Sequence, residues 1–232
     1  MPATSENLER LNKFLALQLG ISRREADNLI EAGRVKLGAT IATLGARIPV
    51  DTGVQLDGKT LASDMGYMYI ALNKPVGYVC SRKAQDGNPT IYELLPKEYH
   101  HLKPVGRLDK DSSGLILLSN DGDFTFRMTH PKFEKPKVYE AELDHDLAPL
   151  HHQMISDIGV NLTDGKSQFI LERIEDGDSK KWRITMREGR NRQIRRTFGA
   201  LGYTTTSLHR THFGAYSIDN LKNGACTVVT VL

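Results

Sequence analysis

The stretch Gly106-Arg107-Leu108-Asp109-Lys110-Asp111-Ser112-Ser113-Gly114-Leu115-Ile116-Leu117-Leu118 constrains this chain more than any other. Its four consecutive apolar residues, Leu115 to Leu118, read as a buried strand. Just before them, Asp109 stands between two cations, Arg107 and Lys110. Positive neighbours favour the ionised form of a carboxylate, and an ionised carboxylate can act as a nucleophile. Gly106 and Gly114 let another backbone or a substrate come close. On these residues alone, a charged surface turn leading into a strand is the better description.

The 232 residues allow one or two domains with a core large enough to fold unaided. Apolar residues make up 39%, and charged ones 25%, so the composition is globular. The net charge of +3 is too small to point to a polyanionic partner, but its distribution says more. Between Lys181 and Ala200 there are seven Lys or Arg residues and one acid, Glu188. Such a stretch is an electrostatic footprint for phosphate, with a solvated face as the alternative. Cys80 and Cys226 lie far apart without metal-ligand spacing, which suits free thiols in a reducing cytosol. Met1 to Glu9 lacks the charge and apolar run of a signal peptide, and no segment approaches the length of a membrane span. The expected location is therefore cytoplasmic.

Leu8, Leu11, Phe14, Leu15 and Leu19 recur at helical spacing and stop at Gly20. A second helix opens at Ser22, where Ser22 and Glu25 form a capping-box pair and Ala26, Leu29 and Ile30 make one apolar face. Short β-type pieces follow at Val35–Leu37, Ile41–Leu44 and Val54–Leu56, and residues 57–66 read as a linker. Residues 1–62 thus form a small ααβ module. Residues 63–232 form a second domain, of mixed α+β class and dominated by antiparallel strands. Strands are expected at Tyr69–Leu72 and Tyr78–Ser81, and a hairpin with Leu115–Ser119 and Phe124–Met128 around Asn120-Asp121-Gly122-Asp123. Val138–Leu143 alternates with Tyr139, Ala141 and Leu143 on one face, and Trp182, Ile184 and Met186 alternate against polar neighbours. A helix is predicted from Asn191 to Leu201, with Ile194, Phe198 and Leu201 inward and Arg192, Arg195 and Arg196 on the other face.

Four segments together resemble one family, the bacterial ribosomal-RNA pseudouridine synthases of the RsuA type. They are IALNKPVGYVC (70–80), GRLDKDSSGLILLSNDG (106–122), KVYE (137–140) and EGRNRQIRR (188–196). The N-terminal module, from RLNKFLALQLGISRREADNLIEAGRV onward, resembles the small RNA-binding domain named after ribosomal protein S-four. The resemblance implies an isomerase that detaches uracil from its ribose, rotates it and rejoins it through carbon, without a cofactor or metal. It makes Asp109 the nucleophile and Tyr139 the platform for the extracted base. Arg195 becomes the forked partner that orients Asp109. It further implies RNA contacts from Arg107, Arg190, Arg192 and Arg196, and from Arg10, Lys13, Arg23, Arg24 and Arg34 on the small module. Lys74 and Pro75 would fix a turn beside the site, and Leu208 would pack near the base. The implied partner is ribosomal RNA, free or in an assembling subunit, met by a monomer. SRREADNLIEAG and GRLDKDS are closer to large-subunit enzymes, whereas the short length without a basic tail resembles the small-subunit one; the lean is to the large subunit.

Other readings weigh less. Asp109, Asp111, Ser113 and Gly114 open like a calcium loop, but the twelfth position is Asn120 and a strand intervenes. His209 and His212 lack zinc partners at suitable spacing. A non-catalytic ribosomal-RNA-binding protein would need the arginines but has no use for Asp109, Tyr139 and Arg195 together.

Overall fold

A computed structural model describes residues 8–49, 52–61, 66–82 and 87–232. The chain divides into two compact units, Met1–Met68 and Tyr69–Leu232. The boundary expected at 62/63 falls among residues 62–65, which lie outside the described residues.

In the first unit, strand β1 (Leu8–Arg10) runs directly into helix α1 (Leu11–Leu19). Thus the apolar spacing from Leu8 begins in a strand, not a helix. Gly20 ends α1 in the left-handed region at φ 66°. Helix α2 (Arg23–Glu31) carries both halves of the capping box: Glu25 N donates to Ser22 Oγ at 3.1 Å and Ser22 N to Glu25 Oε2 at 2.6 Å. Strands β2 (Val35–Leu37), β3 (Thr40–Ile41), β5 (Val54–Leu56) and β6 (Lys59–Thr60) form a sheet in the order β3-β2-β5-β6, and β4 (Arg47–Pro49) pairs with β1. Asp57 and Gly58, expected in a linker, instead make the β5–β6 turn with positive φ at both residues. Leu11, Leu15, Ala26, Val35 and Val54 are completely buried in a core of this unit's own.

The second unit is built on β7 (Tyr69–Lys74), β8 (Lys103–Val105), β9 (Ser113–Ser119), β10 (Lys137–Leu143), β13 (Ile170–Arg173), β14 (Lys181–Met186), β15 (Thr205–Phe213), β16 (Tyr216–Ser217) and β17 (Cys226–Val228). The sheet order is β13-β14-β10-β15-β9-β7-β17, with β16 on β15 and β8 on β9. Every pairing is antiparallel except β15 with β9. The apolar run of β9 is buried throughout, as a strand covered on both faces must be. In β10 and β14 burial alternates, with Tyr139, Ala141 and Leu143 inward, and Trp182, Ile184 and Met186 inward. Beside the sheet lie α3 (Gly122–Thr129), α4 (Pro149–Gln153), the hairpin of β11 (Val160–Leu162) with β12 (Gly165–Ser167), and α5 (Gln193–Ala200).

Two further expectations, both in this second unit, are corrected. Phe124–Met128 is helix α3, not the second arm of a hairpin. Asp121 caps that helix, its Oδ1 accepting from Asp123 N and Phe124 N at 2.9 and 3.1 Å, and Phe124 and Met128, one turn apart, are both buried. An Asp followed by Gly serves a helix start as well as a turn. Tyr78–Ser81 forms only an isolated bridge from Val79 to Thr90.

Candidate active site

A cavity of about 590 Å³ opens in the second unit. Its walls come from the Gly106–Ser112 loop before β9, the end of α3, β10, the segment between β14 and α5, and β15. The loop is held by its carbonyls. Ser112 N donates to Asp109 O at 3.1 Å, and Gly77 N to Lys110 O at 2.8 Å. The completely buried Lys74 donates its Nζ to Ser112 O at 2.6 Å and to Pro75 O at 2.9 Å. Burial pushes the Lys74 pKa down, against the opposing pull of Cys80, Asp111 and Asp109. At Gly114, φ is +104° and an added Cβ would lie 2.2 Å from Arg210 O, so β9 and β15 meet backbone to backbone there.

The two carboxylates of this loop differ in freedom. Asp111 is gripped by Arg192, whose Nη1 and Nη2 donate to Oδ1 and Oδ2 at 2.9 and 2.8 Å, with Arg195 Nε 3.4 Å from Oδ2. The Arg192 fork holds the Asp111 carboxyl below the usual carboxylate range, with Arg195 adding to it against partial burial. Asp109 faces the cavity with its side chain one-third exposed. Among the described residues its carboxylate accepts no hydrogen bond, and its ion pair is with Arg192 Nη1 at 3.6 Å.

The forked pairing of Arg195 with Asp109 is therefore not formed. Arg195 spends its donors on Thr205 O at 2.6 Å and Asp111 O at 2.8 Å, and it does not line the cavity. The helix was expected to carry Arg192 and Arg195 on one face. It starts instead at Gln193, and Arg192 caps it in the left-handed region at φ 47°, which turns Arg192 toward the loop. Arg190 and Arg196, expected at RNA, have intramolecular partners. Arg196 grips Asp164 with two bonds at 3.0 and 2.7 Å, and Arg190 donates to Asp164 Oδ1 and to the Asp164, Gly165 and Lys166 carbonyls. Arg196 ties α5, and Arg190 the segment before it, to the β11–β12 hairpin.

Tyr139 lines the cavity from β10, nearly buried, as does Leu208 from β15. Arg107 and Lys110 are exposed at the cavity, and Lys135 and Arg187 add two more cations. One arginine escaped the sequence reading. Arg210 follows Leu208 by two positions on β15 and shares its inward face, so it is buried in the cavity wall. The signal was available: a basic residue in register with an apolar face.

In the first unit, Arg10 and Arg24 are exposed beside a shallow cleft. Arg23 donates to Asn12 Oδ1 at 3.0 Å, Lys13 pairs with Glu9, and Arg34 is forked onto Asp57.

Residues 68–200 match the family described as RNA pseudouridylate synthase, and residues 9–60 match the S4 domain. A ribosomal small subunit pseudouridine synthase A from Yersinia pestis is 35% identical over 91% of this chain and 90% of its own length. A ribosomal large subunit pseudouridine synthase B from Bacillus subtilis is 31% identical over 96% of this chain and 93% of its own. A crystal structure of a pseudouridylate synthase superposes with a TM-score of 0.67 at 31% identity, covering 95% of this chain and 96% of that one.

Proposed function

This chain belongs to the RNA pseudouridylate synthase family, and from that premise we propose that it isomerises a uridine of ribosomal RNA with Asp109 as nucleophile. The observation that carries this choice is the unequal freedom of the two carboxylates. Asp111 has both carboxylate oxygens hydrogen-bonded, while the Asp109 carboxylate accepts no hydrogen bond among the described residues, has only the looser 3.6 Å ion pair with Arg192, and faces the cavity. The target uridine leaves its stack and enters base first, with Tyr139 and Leu208 as the apolar surface that receives it. Asp109 attacks C1′ of the ribose, and the C1′–N1 bond breaks with its electron pair on the base. The base rotates, C5 bonds to C1′, the carboxylate leaves, the C5 proton is lost, and N1 gains a proton in its place. The reaction balances within the nucleoside, so no cofactor enters it. Arg192 orients Asp109 directly. Arg195 acts on it through the Asp111 carbonyl, as a positioning residue.

The small module docks the RNA, with Arg10 and Arg24 as its exposed cations and Lys13, Arg23 and Arg34 as contacts that must share their present partners. The ribosomal assignment is supported by relatives named for both subunits, at similar identity. Within it, the phrases SRREADNLIEAG and GRLDKDS favour the large subunit. The enzyme works as a monomer in the cytoplasm, where ribosomal RNA is met. The test is to map pseudouridines in both ribosomal RNAs from cells with the protein, without it, and with Asp109→Asn. One large-subunit position should disappear in the second and third cases. Loss at a small-subunit position would reassign the substrate, and no loss at either would refute a ribosomal one.

A further inference from the structure

Arg210 is 2% exposed in the cavity wall. Its Nε donates to Leu115 O at 2.8 Å, while its Nη2 is buried without an acceptor. Among the described residues no carboxylate pairs with it. Its guanidinium carbon lies 4.8 Å from the centre of the Phe213 ring and 6.0 Å from that of Tyr139. Lys137 Nζ stands 5.3 Å from the same Phe213 ring, so the nearest charged neighbour on that ring is a second cation. A buried guanidinium with neither counter-ion nor a full set of acceptors is costly, and such a group calls for an explanation.

A nucleotide could answer it with a phosphate or with its base. Depth decides between them. Of the arginines and lysines lining the cavity, Arg210 alone is buried, whereas Arg107, Lys110 and Arg187 are exposed at the rim. A flipped nucleotide goes in base first and leaves its phosphates outside. The base is what reaches Arg210.

On the reading proposed above, we infer that Arg210 binds a carbonyl oxygen of the target uracil and holds the negative charge of the base as it departs. When C1′–N1 breaks, the electron pair stays on N1 and is shared with O2 and O4. The new bond from Asp109 to C1′ removes the carboxylate's charge at the same moment. One negative charge thus passes from beside Arg192 to beside Arg210. It returns when C5 rejoins C1′ and Asp109 leaves. A contact that strengthens as this charge develops lowers the barrier rather than merely tightening binding.

The test compares single-turnover loss of the N-glycosidic linkage in RNA carrying uridine or 5-fluorouridine at the target. Fluorine makes the base a better leaving group, less dependent on a cation. Arg210→Gln should slow the uridine reaction about 100-fold or more and the 5-fluorouridine reaction about 10-fold or less, with RNA affinity little changed. Arg210→Lys, which keeps the charge, should show the same inequality at smaller size and carries the test if the glutamine variant does not fold. Equal losses on both substrates, or no loss, would overturn the assignment. A wild-type protein inactive on both would instead overturn the functional reading.

Discussion

The Gly106–Ser112 loop and the segment from Arg187 to Arg196 wall the same cavity, yet they use charge in opposite ways. The loop is anchored through its backbone, by Lys74 and Gly77 on its carbonyls, and leaves the Asp109 carboxylate without a hydrogen bond among the described residues. The basic segment is anchored through its side chains, with Arg190, Arg192, Arg195 and Arg196 each bonded within the protein. A functional group stays available only where something else does the anchoring. The arginines that look like a phosphate footprint are largely the scaffold of the site.

The largest effect tests the backbone contact of β9 with β15 just after the loop. Gly114→Ala places a methyl against Arg210 O at a φ an L-residue avoids, and should cost about 4 kcal/mol or more, read as lost solubility or a collapsed denaturation midpoint. A wild-type midpoint would refute so close a contact. Next, Asp109→Asn and Asp111→Asn should separate. The first should drop turnover by about 1,000-fold or more at unchanged stability. The second should weaken the loop by about 1–2 kcal/mol while keeping measurable turnover. If Asp111→Asn is the dead variant, the nucleophile is misassigned.

The basic segment is tested by conservative swaps. Arg195→Lys loses donors to two carbonyls and should destabilise by about 1–3 kcal/mol. Arg192→Lys should lower turnover about 10-fold and stability by about 1 kcal/mol or less, because it disturbs the pair with Asp109 and gives up one arm of the half-exposed fork on Asp111 while keeping the charge. The reverse pattern would restore Arg195 as the direct partner.

Acid should act on the same anchoring. The carboxyls of Asp111 and Asp164 are held below their usual range, by Arg192 and by Arg196 respectively. Their contribution is therefore complete above the unfolded value of about 3.9 and is lost as pH falls through the lower folded values. Asp111→Asn should flatten that part of an acid-unfolding curve. The smallest effect belongs to the first unit: Arg24→Ala should change stability by about 0.5 kcal/mol or less, while lowering RNA affinity and its salt slope.

What was legible in the sequence was local. Ser22 and Glu25 are three residues apart and wrote out a cap; Tyr139, Ala141 and Leu143 wrote out a buried face. Asp121 failed because the first residues of a helix and of a turn use the same chemistry. Asp164 is 26 residues from Arg190 and 32 from Arg196, so no window of sequence shows that they are bound to it. Arg192 in a left-handed cap broke the helical spacing that placed it beside Arg195. The resemblance pointed to Asp109 and Tyr139, but the cost of leaving Arg210 without an acceptor exists only once β9, β10 and β15 are side by side.

The lone parallel pairing of the sheet has a consequence for the chain as it is being made. Ser113 and Gly114 meet His209 and Arg210, so the loop before β9 waits for a strand made much later. A ribosome synthesises from the N-terminus, and domains fold as their last element emerges. The S4-like unit can form before the second unit, while the cavity has no wall at β15 until that strand has been made. A nascent chain can therefore complete its S4-like unit before its cavity exists, and the order of synthesis itself puts the cavity after it.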